Sequence, residues 1–227
     1  MLVPLVKFFS LNFKPTYSQR VGVRKWFWNC AFKQRYKAGT NKLVKEDMDK
    51  MTKLAAGEPV FDGLESEIDA SLFKKTWRIN LTAAKAAICL LAQYKPLSFL
   101  TGAPVDLGNV LAAYNAREFH HIYPKAFLGA NGIPFHESNV IANVCFLTSA
   151  DNNVIRDRDP QEYLSEIPAS SRDEIFASAL VPLIFADGSR PYAEFINQRA
   201  EKLASAAREL IENGQPRSSS SKGHAPS

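Results

Sequence analysis

The chain has 227 residues, an apolar content of 46% and a formal net charge of +5, so it is long and apolar enough to bury a sizeable core. Its three cysteines, Cys30, Cys89 and Cys145, stand far apart without a CxxC pair, which excludes a zinc knuckle and a disulfide-stapled secreted domain. We therefore expect a globular protein in a reducing, cytoplasmic setting.

Residues 1–11 are apolar, but they are too few to span a bilayer and they include Pro4 and Lys7. They also lack the basic start and the small-residue cleavage site of a secretory signal. We expect a buried helix here and no membrane partner. The abrupt apolar start also suggests that the chain is a fragment of a longer protein.

Positive charge is concentrated in residues 1–45, which carry ten Lys or Arg and no Asp or Glu. Such a basic pole favours a polyanion such as nucleic acid. A solvated helix face is the alternative, because the sequence does not show that these side chains share one surface. Arg24 and Lys25 are the candidates for nucleic-acid binding in this region.

Helical patterns dominate the first hundred residues. Apolar residues recur at helical spacing over 19–37 and 42–56, and residues 80–94 are apolar nearly all round, which predicts a buried central helix. Short helices are predicted over 65–73 and near 110–114. Trp26 is expected in the core, whereas the environment of Trp28 stays open.

The pattern changes at residue 117. Residues 119–123 and 140–148 are predicted strands, and the glycine- and proline-containing stretch between them is a predicted loop. Ser149 can cap the helix that follows, which places Asn152 and Asn153 in its first turn. Further helices are predicted over 160–164, 170–180 and 191–212.

We thus predict a mainly α-helical fold with an inserted strand–strand–helix element. The predicted regions are residues 1–113, with the basic N-terminal pole, residues 114–213, with the strands and C-terminal helices, and a disordered tail over 214–227.

Two adjacent histidines, His120 and His121, lie at the end of the first predicted strand and are followed by spaced asparagines. A neutral imidazole can take a proton from water near neutral pH, while a second imidazole and an amide oxygen can bind a metal ion. Adjacent strand residues point to opposite faces unless the strand end is twisted or bulged, which indicates two distinct roles. So few protein ligands leave positions for water and phosphate oxygens, as Mg²⁺ prefers, and imidazole also suits Mn²⁺ or Ni²⁺.

The run Glu118-Phe119-His120-His121-Ile122-Tyr123-Pro124, followed by Asn143 and then by Asn152 nine residues later, resembles the HNH nuclease motif, or ββα-metal finger. Together with residues 125–128, 141–149 and 159–164, it is similar to the C-terminal domain of GmrSD-type modification-dependent restriction endonucleases. The segment around residues 24–28 also resembles the helical part that precedes that domain. The resemblance implies a metal-dependent DNA endonuclease that acts in restriction or phage defence.

Carried over position by position, the resemblance makes His121 the general base and makes His120 and Asn152 the metal ligands. It makes Asn143 a residue of the catalytic group that fixes the loop and orients the base. The implied cofactor is a divalent metal, Mg²⁺, with Mn²⁺ or Ni²⁺ as alternatives, and the implied partner is DNA. Many relatives have Asp where His120 stands, and full-length relatives carry a nucleotide-hydrolysing N-terminal domain that these 227 residues do not include.

Several further assignments stay open. Lys125, Arg156 and Arg158 flank the predicted site and either bind phosphates or are simply solvated. Asn153 would replace Asn152 as ligand if the helix began one residue later, and Arg199 faces either the site or solvent. Two other classes of function remain: a nucleic-acid-binding module whose catalytic role has lapsed, and a helical interaction domain in which the histidine pair is incidental.

Overall fold

The computed structural model describes residues 1–108, 119–185 and 189–217. The chain divides into two compact units: Met1–Glu67 with the chain from Ala206 onward, and Ile68–Ser205. The predicted boundary between residues 113 and 114 lies outside the described residues. The observed division places residues 68–108 in the same unit as the histidine pair, whereas the prediction placed them with the N-terminal helices.

The first unit contains helices α1 (Leu2–Leu11), α2 (Tyr17–Phe32) and α3 (Thr40–Ala55), and a 3₁₀ turn (Arg35–Lys37). A capping box between Thr16 and Gln19 starts α2, and the Gln19 amide also donates to the carbonyls of Leu54 and Ala55 at the end of α3. Gly22 permits this close approach, because a Cβ there would lie 2.8 Å from a Leu54 methyl carbon. The helix predicted over 42–56 is confirmed, whereas the helix predicted over 19–37 is confirmed only as far as Phe32, where α2 ends before the 3₁₀ turn.

The helix predicted for residues 1–11 is confirmed, but the prediction that it is buried was wrong. Pro4 and Phe8 are its buried residues, whereas Leu2 is 77% exposed and Val6 is 67% exposed. Helix α1 packs mainly against α3, and Phe8 joins a core cluster with Trp26 of α2 and Met51 of α3, so only one face of α1 is buried. No helix among the described residues is long and apolar enough to cross a membrane.

A buried carboxylate, Asp47, organises the polar interior of the first unit. It accepts hydrogen bonds from the Trp26 indole at 2.9 Å, from the Arg35 guanidinium at 2.9–3.2 Å and from the Tyr36 hydroxyl. Burial opposes ionisation of this carboxyl, but the hydrogen bonds outweigh burial and hold the pKa of Asp47 below its ordinary value. Trp26 and Trp28 are both buried, so neither offers a stacking surface to a nucleic-acid base.

The basic pole is partly neutralised within the first unit. Ion pairs join Lys25 to Asp62 at 2.6 Å, Lys33 to Glu65 at 3.0 Å, and Arg35 to Asp47 at 2.9 Å. Three of the ten cations counted in residues 1–45 are therefore engaged by acidic residues that follow them in the sequence. The net positive charge of that segment overstates the charge available to a partner.

The second unit begins with a 3₁₀ turn (Ala70–Lys74) and helix α4 (Thr82–Gln93). The short helix predicted over 65–73 is reduced to that turn, which is capped by the Asp69 carboxylate on the Ser71 amide. Helix α4 buries one broad apolar face, whereas Thr82, Lys85 and Gln93 are exposed, so the prediction of a helix buried nearly all round is confirmed only in part. The helix predicted near 110–114 lies outside the described residues.

The remaining elements are β1 (Phe119–His121), α5 (Lys125–Ala130), α6 (Phe135–Ser138), a 3₁₀ turn (Ile141–Asn143), β2 (Val144–Phe146), α7 (Ser149–Ile155), α8 (Pro160–Ser165), α9 (Arg172–Ser178), a 3₁₀ turn (Leu183–Phe185) and α10 (Tyr192–Asn213). The fold is thus mainly helical with a small antiparallel sheet, as predicted. The division between the units falls within α10. After α10, Gln215 bonds to the Tyr17 hydroxyl, and the predicted tail beyond residue 217 lies outside the described residues.

The two strands pair antiparallel over three residues, with His120 opposite Cys145 and His121 opposite Val144. The second strand is shorter than predicted, because Val140 bridges to Thr76 and the Ile141 amide donates to the Lys75 carbonyl instead. The chain therefore changes its pairing partner just before Asn143.

The loop predicted between the strands contains two short helices, so that prediction was wrong. Helix α5 begins directly after Pro124, and α6 begins directly after Pro134. Each proline fixes the backbone at the entry to its helix, where a missing amide hydrogen does no harm. Gly132 has a φ of +80° and turns the chain between the two helices.

Arg199 on α10 faces neither the predicted site nor solvent, since it is fully buried. Its Nη1 donates to the Ala142 carbonyl at 2.6 Å, and its Nη2 donates to the Ala179 carbonyl at 2.9 Å. Burial lowers the pKa of the guanidinium to about 10. Arg199 therefore ties the turn before β2 to the end of α9.

The role of Asp47 predicts a large loss of stability on its removal. Asp47→Ala leaves the buried Trp26 indole and the Arg35 guanidinium without their acceptor, so we expect the free energy of unfolding to fall by roughly 3 kcal/mol. Asp49→Ala, which removes an exposed carboxylate of the same helix, is the matched control and should change it by less than about 0.5 kcal/mol. Urea unfolding measures both, and equal effects would contradict the role of Asp47.

Candidate active site

A cleft of about 380 Å³ opens between the end of β1, the start of α5 and helix α7. Five of its lining residues have polar or charged side chains: His120, His121, Lys125, Asn152 and Arg156. Trp77 and Phe119 line its apolar side, with ring centroids 5.6 Å apart. The structure thus gathers the predicted base, both predicted ligands and two of the predicted phosphate-binding cations in one place.

His120 and His121 both line this cleft although they are adjacent in β1. Simple strand alternation would separate them, but the ladder ends at His121 and the chain leaves the strand there. Both are half-buried. The two imidazoles can therefore serve one bound group in different roles.

Asn143 does not line the cleft but is fully buried behind it. Its Oδ1 accepts from the Tyr123 amide at 2.9 Å, and its Nδ2 donates to the carbonyls of Tyr123 and Ser138 at 2.9 and 3.0 Å. The Ile122 amide donates to the Asn143 carbonyl at 2.8 Å. Asn143 thus holds the main chain that directly follows His121, while the Tyr163 hydroxyl donates to the Ile122 carbonyl from α8.

Helix α7 places Asn152 in the cleft. The helix starts at a capping box between Thr148 and Asp151, one residue earlier than the predicted Ser149 cap. The buried Asp151 carboxylate also accepts a hydrogen bond from the Ser98 hydroxyl at 2.7 Å, which ties the first turn of α7 to the segment that contains Ser98. Of the two adjacent asparagines, Asn152 lines the cleft, whereas Asn153 is exposed and is not among the lining residues.

The imidazole of His121 forms a hydrogen bond with the side chain of Asn139, a contact that was not predicted from the sequence. The His121 Nε2 and the Asn139 Oδ1 lie 3.0 Å apart, and Asn139 is only 6% exposed. Asn139 precedes the turn before β2, and its spacing from His121 matches no part of the motif that pointed to Asn143 and Asn152. Its only signal in the sequence was membership of a group of spaced asparagines.

The electrostatic environment of His121 favours the neutral imidazole. Burial lowers the pKa of His121 from its ordinary 6.5 to about 4, and the nearby positive charges of Lys125 and, when protonated, His120 act in the same direction. The hydrogen bond to Asn139 acts in the opposite direction and raises this pKa, but it does not outweigh burial. The imidazole therefore carries a lone pair at neutral pH, as a proton acceptor must.

The predicted phosphate-binding cations fall into different environments. Lys125 and Arg156 line the cleft, whereas Arg158 does not and pairs with Glu166 at 2.5 Å. Arg24 and Lys25 belong to the first unit, where Lys25 pairs with Asp62 and Arg24 donates to the Gln215 side chain at 3.2 Å. Lys125 and Arg156 are therefore the cations best placed to meet a phosphate in the cleft.

The cleft offers two side chains as metal ligands beside His121, the His120 imidazole and the Asn152 amide. Among the described residues, no three His, Cys, Asp or Glu side chains converge on one point, and no cleft-lining residue of that set is a carboxylate. Imidazole nitrogen and amide oxygen fit an ion that keeps several water or phosphate ligands. Because Lys125 and Arg156 leave the cleft positive, an anionic ligand is needed to complete the charge balance of such a site.

Comparison with known proteins shows that the chain is similar in sequence to an archaeal protein. A protein of Methanocaldococcus jannaschii, described only as uncharacterized protein MJ0686, is 26% identical over 151 residues, which cover 64% of this chain and 25% of the archaeal protein. No protein-family model matches the chain, and no solved structure matches it. The matched region is thus about a quarter of a much longer relative.

The environment of His121 predicts that its imidazole in the metal-free protein titrates near pH 4. Because this pKa lies below the ordinary value of 6.5, the unfolded chain binds more protons between these two values, and His121 reduces stability as the pH falls through that window. NMR titration of the ring in the presence of a chelator measures the pKa, with His121→Gln used to assign the resonance. A pKa at or above 6.5 would contradict the buried environment.

Proposed function

We propose that this protein is a metal-dependent endonuclease that hydrolyses phosphodiester bonds in DNA. The observation that carries the proposal is the convergence of His120, His121 and Asn152 with two cations in one cleft of a strand–strand–helix element. The resemblance to HNH nucleases rests on the same three residues, and it supports the proposal. The resemblance to GmrSD-type endonucleases suggests a restriction or phage-defence role, with a nucleotide-hydrolysing domain or subunit as partner.

In the proposed reaction, His121 accepts a proton from the attacking water, because its imidazole is neutral at pH 7. The phosphodiester's negative charge would favour the imidazolium and so make His121 a stronger base once substrate is bound. Lys125 and Arg156 hold the non-bridging phosphate oxygens. Asn143 keeps the backbone after His121 in place without touching the reacting atoms.

His120 and Asn152 would hold the divalent ion, with Mg²⁺ as the expected metal and Mn²⁺ or Ni²⁺ as alternatives. A bound divalent ion supplies charge stabilisation to the phosphate oxygens and to the leaving oxygen. Many members of the resembled family carry Asp at the position of His120. Because His120 adds no negative charge, this site would depend more on the phosphate to attract the ion.

The second candidate is a nucleic-acid-binding module that no longer cleaves. The absence of a carboxylate among the described cleft-lining residues favours it, because the ion then has only neutral ligands from the protein. Such a module would bind DNA through Lys125 and Arg156 with strong salt dependence. It would show no metal-dependent nicking.

Plasmid cleavage across Mg²⁺, Mn²⁺, Ni²⁺ and Zn²⁺ separates the two candidates. We expect the wild-type protein to nick DNA with at least one of these ions, and His121→Ala to reduce the rate by roughly 10²-fold or more, since a proton acceptor is lost. His136→Ala is the matched control, because His136 does not line the cleft and its side chain is 76% exposed, and it should cleave like wild type.

Two results would contradict the nuclease proposal. One is a wild-type protein that is inert with every metal and with both supercoiled and single-stranded DNA, and salt-sensitive binding without cleavage would then support the second candidate. The other is a cleavage rate that His121→Ala leaves at the level of His136→Ala, which would indicate a contaminating nuclease.

A further inference from the structure

We propose that Asn139 is a positioning residue that fixes the orientation of the His121 ring, so that Nε2 carries the proton and Nδ1 is left as the proton acceptor. The inference rests on the proposed function for its catalytic meaning. Its structural content, the ring orientation and the position of the proton, holds or fails independently of nuclease activity.

The direction of the Asn139 amide is set by Trp77. The Asn139 Nδ2 donates to the Trp77 carbonyl at 3.1 Å, and a carbonyl oxygen can only accept. The NH₂ group must therefore face Trp77, which turns Oδ1 toward His121. The amide cannot be reversed without placing two oxygens against each other.

The orientation of the amide determines the tautomer of His121. Asn139 Oδ1 can only accept a hydrogen bond, and it lies 3.0 Å from His121 Nε2. An unprotonated Nε2 would set two lone pairs against each other in a buried contact, which costs free energy in both groups. Neutral His121 therefore carries its hydrogen on Nε2, and Nδ1 keeps the lone pair.

The contact is rigid because Asn139 is fixed to a neighbouring segment through its main chain as well. The Trp77 amide donates to the Asn139 carbonyl at 2.7 Å, so two hydrogen bonds join these residues in opposite directions. The bridge between Thr76 and Val140 and the bond from the Ile141 amide to the Lys75 carbonyl extend the pairing. The ring of His121 is thus oriented from residues 75–77, which lie about forty positions earlier in the sequence.

Asn139 and Asn143 thus share the role that the resemblance implies for Asn143 alone. Asn143 bonds to the main chain of Tyr123 and Ser138, and no hydrogen bond joins it to the imidazole among the described residues. Asn143 therefore sets where the chain runs after His121, and Asn139 sets how the ring is turned.

Two substitutions of Asn139 separate ring positioning from structural support. Asn139→Leu and Asn139→Asp both remove the hydrogen bond to the Trp77 carbonyl, but only the aspartate keeps an oxygen that can accept from His121 Nε2. Metal-free protein at about pH 8, where histidine is neutral, is used for NMR of the ring. The same variants are assayed for plasmid cleavage to obtain kcat and KM separately, and thermal unfolding of each variant records the loss of structural support.

We expect a downfield Nε2–H resonance in the wild type and in Asn139→Asp, and its loss or upfield movement in Asn139→Leu. In cleavage, Asn139→Leu should lower kcat roughly 10- to 100-fold with little change in KM, as is typical of lost support for a functional histidine, while Asn139→Asp retains most of kcat.

Three results would overturn the inference: a hydrogen on Nδ1 in the wild type, an unchanged Nε2–H resonance in Asn139→Leu, or equal losses of kcat in both variants. Equal losses would assign Asn139 to structural support of the Trp77 segment. A wild-type protein that does not cleave DNA defeats the proposed function, whereas the ring resonance still decides the orientation of His121.

Discussion

Hydrogen bonds from buried amides hold the candidate site together, because the sheet that carries it is too small to do so. A ladder of three residue pairs has little stability of its own, and its geometry must come from surrounding contacts. Asn143 binds both the amide and the carbonyl of Tyr123, and Asn139 binds the Trp77 carbonyl. Arg199 adds a buried cation on the Ala142 carbonyl, so the short turn before β2 is fixed from two sides. These buried groups keep the strand–strand–helix element in one arrangement, as a site built from few ligands requires.

The charge of the cleft explains how a site with so few protein ligands would work. Lys125 and Arg156 line it, and the only groups there that could bind a metal ion, among the described residues, are neutral. Burial, together with the positive charge of Lys125, keeps His121 neutral and lowers its pKa to about 4. A bound phosphodiester would neutralise the charge of Lys125 and Arg156 and attract a divalent ion. Its negative charge would also favour protonation of the His121 imidazole. Substrate and metal ion would therefore bind cooperatively, with each strengthening the site for the other.

The helical character, the two strands and the cluster of site residues could be predicted from the sequence, because hydrophobic periodicity and motif spacing report local structure. The prediction that α1 is buried was wrong, because an apolar pattern does not show whether other elements of the fold cover the whole helix. The region of α5 and α6 was predicted as a loop, although Pro124 and Pro134 directly precede the two helices. The contact between Asn139 and Trp77 could not be read from one sequence, because it joins segments about sixty residues apart without any motif. Arg199 was placed at the site or in solvent because a buried cation bonded to carbonyls leaves no pattern in the sequence.

The central claim is that His120 and Asn152 bind a divalent ion that the substrate phosphate helps to hold. Electron paramagnetic resonance of Mn²⁺ measures this directly in the His121→Ala background, where the DNA should stay intact. Tight Mn²⁺ binding is predicted only when a DNA oligonucleotide is present, with the affinity falling at least roughly tenfold in His121→Ala/Asn152→Ala. Mn²⁺ binding that is absent with DNA, or that is unchanged when Asn152 is replaced, would contradict the claim.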